Sequence, residues 1–122
     1  MANEGGKKPE IARAGALHKT IPNAVSSITT NTTGGTFDLS ALALTDPAAT
    51  TVDCRGRWIT IQALSADVTL LRKSSAPVHG VGLVLVAGSP PEPFYVDPDE
   101  DAVIGWDAAG AGTLEICLDT KL

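Results

Sequence analysis

The sequence predicts an all-β protein: an antiparallel β-sandwich or jelly roll of about seven to eight short strands, preceded by an extended N-terminal arm. Three observations carry that expectation. Short apolar runs with a two-residue period recur between Gly- and Pro-marked turns, and no segment sustains the 3.6-residue period of a helix. The third is Arg57 to Lys73, where two runs rich in β-branched and apolar residues flank the small polar turn Ser65-Ala66-Asp67 and read as a β-hairpin. Ile59, Ile61 and Ala63 share one face of the first arm, and Val68 and Leu70 share one face of the second. A hairpin alone is marginal in water, so partner strands are required.

Taken in order, residues 1–33 are rich in Gly, Ala, Asn, Ser and Thr, lack periodicity, and read as the arm; residues 34–122 read as the body. Ile11, Ala12, Ala14, Ala16 and Leu17 offer the arm a brief apolar interlude that can dock on a neighbour. A short helix over residues 10–17 is the competing reading, and Gly15 weakens it. The first body strand is expected over residues 36–44, ended by Asp46-Pro47. After the hairpin, Val81 to Ala87 is a near-continuous apolar run between Gly80 and Gly88, and reads as a buried strand. Ser89 to Pro93 reads as a stiff polyproline-like excursion. Brief strands follow at Phe94 to Val96, Ala102 to Trp106 and Thr113 to Leu118, with Leu114, Ile116 and Leu118 on one face.

Composition narrows the function classes. Aromatics make up only 4% of the chain, so Phe37, Trp58, Phe94, Tyr95 and Trp106 must be divided between core and surface. The formal charge of −5 argues against nucleic acid or anionic membrane as partners, which need clustered Lys and Arg. The charge is uneven. Lys7, Lys8, Arg13 and Lys19 stand against Glu4 and Glu10 in the arm, whereas the acids dominate the body. Cys54 and Cys117 fit no metal or redox spacing; two unpaired thiols of a reducing cytoplasm are the first reading, and one disulfide between them is the alternative. No secretory signal or transmembrane window is apparent, so a soluble chain made in the cytoplasm is expected.

The chemistry-bearing residues point away from catalysis and from any cofactor. His79-Gly80-Val81-Gly82 faintly resembles an esterase oxyanion loop, but the chain has no Gly-x-Ser-x-Gly elbow to supply a nucleophile. Asp97, Asp99 and Asp101 alternate like the opening of a calcium loop. Ala102 and Ala108 then occupy the sixth and twelfth positions, so a solvated turn or charged contact surface is the better reading. Arg55 and Arg57 can grip a carboxylate on a partner, or simply guard a strand edge. Trp58 and Trp106 would form a sugar platform only if exposed together.

Gly56 to Ala63, then Ala66-Asp67-Val68, and the closing Gly110-Ala111-Gly112-Thr113-Leu114-Glu115-Ile116 resemble small structural proteins of tailed bacteriophages. The resemblance covers roughly Arg55 to Leu118 and excludes the arm. It implies a capsid decoration, or cement, protein: a β-sandwich or jelly roll, commonly trimeric, seated on the outer surface of the virion head and bound to the major capsid protein. On that reading the partner-binding residues are Lys7, Lys8, Ile11, Arg13, Leu17 and Lys19 of the arm and Arg55 and Arg57 of the body. The alternative is a carbohydrate- or receptor-binding module of a phage tail or bacterial surface protein; a small hydrolase with His79 as base ranks third.

Overall fold

The computed structural model describes residues 21–121, which form ten antiparallel strands and no helix. They are β1 (Ala24–Thr30), β2 (Gly35–Asp38), β3 (Leu42–Ala43), β4 (Thr51–Val52), β5 (Trp58–Ala63), β6 (Val68–Leu71), β7 (Leu83–Leu85), β8 (Glu92–Tyr95), β9 (Val103–Ala108) and β10 (Gly112–Leu118). Two four-stranded sheets, ordered β1-β10-β5-β8 and β2-β9-β6-β7, enclose the core, and β3 and β4 form a separate ribbon. The all-β sandwich expected from the sequence is therefore the observed fold.

The core is two facing sets of inward rows. In the first sheet Ser26, Ile116 and Ile61 lie side by side, as do Ile28, Leu114 and Ala63. In the second, Trp106 and Leu70 form one row, and Ala108, Val68 and Leu85 another. Leu114, Ile116 and Val68 are wholly inaccessible, so these rows supply most of the burial that holds the sheets together. The ribbon and the segment after it close one side of the sandwich. Val25 N–H donates to Asp46 O at 2.9 Å, Ser26 Oγ to Ala43 O at 2.6 Å, and Cys54 N–H to Leu39 O at 2.7 Å.

Four expectations need correction. The Arg57–Lys73 stretch is no hairpin: β5 and β6 belong to different sheets, and Leu64 to Asp67 carry the chain across the core. Both strands have an apolar inner face, and such faces satisfy burial equally well stacked across a core as placed side by side. The crossover is held by Leu64 N–H to Thr113 O and Ala109 N–H to Asp67 O, both 2.9 Å. Secondly, Ala24–Thr30 belongs to the body rather than the arm, because β1 pairs with β10 over all seven residues. Thirdly, residues 36–44 split at Leu39 to Ala41 into β2 and β3, since Asp38 Oδ1 accepts the Ser40 amide at 2.9 Å and turns the chain. Lastly, the apolar run from Val81 is an edge strand with an open face, not a buried one. The possible helix over residues 10–17 lies outside the described residues.

Candidate functional site

The expected partner-binding residues do not converge. Lys7, Lys8, Ile11, Arg13, Leu17 and Lys19 lie outside the described residues. Arg55 stands just before the β5 strand, and its fork is turned onto its own chain: Nη2 meets Asp53 Oδ2 at 2.8 Å and Nε meets Oδ1 at 3.0 Å. Hydrogen bonds from that side chain and from the Arg55 amide hold the Asp53 carboxyl down at about 2. Arg57 Nη1 donates to Thr120 O at 2.9 Å, tying the start of β5 to the segment after β10. The Asp-x-Arg spacing at Asp53 is the sequence signal that Arg55 has a local partner.

The two tryptophans are also separated. Trp106 is 5% exposed, and its indole packs closely over Gly35, where a Cβ would stand 3.0 Å from the ring. Trp58 is half-buried on the sandwich exterior and tilts against Tyr95 at 5.6 Å between ring centroids. A two-tryptophan platform is therefore not formed.

His79 has a partner that its connector position did not disclose. Its Nδ1 lies 3.0 Å from Asp107 Oδ2, and the adjacent Gly80 N–H donates to Thr69 Oγ1 at 2.9 Å. Asp107 and Thr69 are neighbours across β9 and β6 and both point outward, yet both are buried. The loop from Ser74 to Gly82 is thus fastened over the outer face of the second sheet. Thr69, the hydroxyl in this network, is wholly inaccessible and engaged with the loop, which makes the His79–Asp107 pair a clasp rather than the start of a nucleophilic triad.

Among the described residues no group of three or more His, Cys, Asp or Glu is placed to hold a metal ion. The acidic turn is internally organised instead. Asp97 Oδ1 accepts the Asp99 amide at 2.8 Å, Asp101 Oδ1 accepts the Val103 amide at 3.1 Å, and Glu100 pairs with Arg72. Cys54 and Cys117 are free thiols. Burial pushes the Cys54 thiol up to about 11 and raises that of Cys117, so neither is an activated nucleophile.

Two surfaces remain that differ from an ordinary solvated exterior. The first is an apolar face along the β7 edge. Val84 lies beside Thr69, whose hydroxyl receives the Gly80 amide, and Val81 N–H closes a turn on Val78 O at 2.9 Å. This brings Val78, Val81, Val84 and Val86 into one neighbourhood, with exposures of 72%, 60%, 40% and 55%. The second is a cleft of about 340 Å³ where the sheets part between β7 and β8. Ile59, Ile61, Leu70 and Phe94 line it, Leu71, Leu83 and Tyr95 stand at its open rim, and Arg72, Asp97, Glu100 and Asp101 contribute its charge. Sequence reasoning missed both because apolar residues were assigned to the core by default. The chain matches no known family model, curated protein or solved structure.

Proposed function

We propose that this chain is a structural virion protein that decorates and stabilises the head of a tailed bacteriophage by bridging major capsid protein subunits. It sits on the outer surface as an oligomer, commonly a trimer in the family it resembles, and its arm adds further contacts. The observation that carries the reading is the β7 face: four exposed valines beside a strand edge that no other described strand pairs form a surface suited to adhesion. The quoted likeness of Gly56 to Ala63 and Gly110 to Ile116 to phage structural proteins supplies the partner. These residues lie on β5, β10 and the turns before each, so the likeness bears on the body's framework. Individually modest contacts suffice on a capsid, because each one made after docking acts at high effective concentration.

The test is uptake by expanded heads that lack a decoration protein. The full chain should bind saturably and raise the temperature at which the heads rupture. Val84→Lys with Val86→Lys should weaken binding by about a hundredfold, the effect of placing two charges in an apolar contact. Both positions are exposed, so the variant should keep its thermal midpoint. Heads that ignore the wild-type chain, or gain no heat resistance from it, would exclude this function.

A further inference from the structure

Four strands end the two sheets: β1 and β8 in the first, β2 and β7 in the second. Outer strands present backbone groups that template pairing with another chain, and proteins guard them with charge, proline or a covering segment. Three of the four are guarded. β1 is bridged to the ribbon through Val25 and Asp46 and through Ser27 N–H to Thr45 Oγ1, β8 carries Glu92 and Pro93, and β2 ends in Asp38. Among the described residues β7 has none of these guards. Residues 74–91 hold no Asp, Glu, Lys or Arg, although residues 21–122 hold twelve acids against five bases. The nearest carboxylates are engaged: Asp107 with His79, and Asp67 with the Ala87 amide at 2.8 Å.

That distribution selects the occupant. With twelve acids against five bases, two bodies repel each other wherever their acidic surfaces meet, and the β7 edge lets two copies touch without opposing carboxylates. The edge is also complementary to itself. An antiparallel pair about a two-fold axis at Val84 sets Val84 against Val84, Leu83 against Leu85, and Val86 over Gly82, which has no side chain to clash. Each residue thus meets one on the same face of the sheet, as the two-residue period requires.

We infer that in the free protein the β7 edge is covered by β7 of a second copy, which joins two β2-β9-β6-β7 sheets into one of eight strands. Val78, Val81, Leu83, Val84 and Val86 give each copy an exposed apolar patch on the order of 400 Å². With the strand backbone included the pair buries roughly 1,000 Å², the low end for a specific contact, and dissociates with a Kd on the order of 100 µM. At low micromolar concentration the chain is a monomer with this edge free. The inference concerns the free chain and does not rest on the capsid reading; a head that engages the same edge displaces the second copy.

Sedimentation equilibrium of the full chain tests this without heads, from about 5 µM to about 1 mM, a range that brackets the expected Kd. A reductant keeps the thiols of Cys54 and Cys117 from linking chains. The wild type should pass from monomer to dimer and stop there, because a two-fold contact closes on itself. Val84→Lys and Val84→Glu should each raise the Kd by about tenfold or more, since the axis sets like charges face to face. An equimolar mixture of the two variants should recover dimers, because Lys then faces Glu. Val84 is 40% exposed, so both variants should keep the wild-type thermal midpoint. Four results would overturn the inference: a wild type that stays monomeric at the highest concentration, assembly that continues past the dimer, a dimer indifferent to either charge, and a mixture that associates no better than its components.

Discussion

A chain starting at Gly34 should fail to fold, whereas one starting at Ile21 should fold with nearly the full thermal stability of the parent. The reason lies in β1. It pairs with β10 residue for residue from Ala24–Leu118 to Thr30–Gly112, and β10 contributes Leu114, Ile116 and Leu118 to the centre of the core. Removing β1 would open one side of that strand to water and strip its outward hydrogen bonds. It would also delete the buried Ala24, Ser26 and Thr30 side chains and detach the ribbon bonded to Val25 and Ser26. Apolar burial of about 1.5–3 kcal/mol per large side chain, lost at several positions, approaches the whole stability of a domain this size, about 5–15 kcal/mol. Circular dichroism of the two truncations decides the matter. A cooperative β-rich melt from the shorter one would mean that β1 is dispensable.

Gly105→Ala should be the most damaging single substitution outside the hydrophobic rows. A Cβ at this position would stand 1.9 Å from the Ser75 carbonyl oxygen and 2.9 Å from its carbon. Both are backbone atoms and cannot rotate away. The Ser74–Gly82 loop would have to lift, disturbing the His79–Asp107 and Gly80–Thr69 contacts that fasten it and uncovering two buried polar groups. Overpacking with forced backbone movement costs about 3 kcal/mol or more. The thermal midpoint should fall by roughly 10–20 °C. Gly110→Ala, where nothing lies within 4 Å of the added carbon, is the control and should change stability by less than about 0.5 kcal/mol. Equal midpoints for the two variants would show that the loop does not rest on β9.

These two cases mark how much of the architecture the sequence disclosed. Alternation at Ile59, Ile61 and Ala63, and at Leu114, Ile116 and Leu118, reports an inner face directly, so the fold class and the strongest strands were legible. β1 was not, because Ser26 and Thr30 are polar letters at buried positions; Ser26 is satisfied by the Ala43 carbonyl, a partner distant in sequence. Sheet membership of β5 and β6 was likewise hidden, since period two fixes which way a side chain points but not which strand lies beside it. The Val81–Ala87 run misled for a complementary reason. Hydrophobicity records that a surface avoids water, and an interior or a contact face satisfies it equally. Of the candidate site residues, Arg55 and Arg57 were visible as charges; the Asp-x-Arg spacing signals the Arg55–Asp53 pair, but the tie from Arg57 to Thr120 depends on backbone geometry.

The proposed capsid role rests on contact along the β7 edge. Hydrogen exchange of the full chain, free and bound to heads, measures this most directly. On binding, amides from Val78 to Val86 should exchange about tenfold more slowly or slower still, as exposed edge groups become covered. Unchanged exchange across that segment, with new protection elsewhere on the body, would contradict the account.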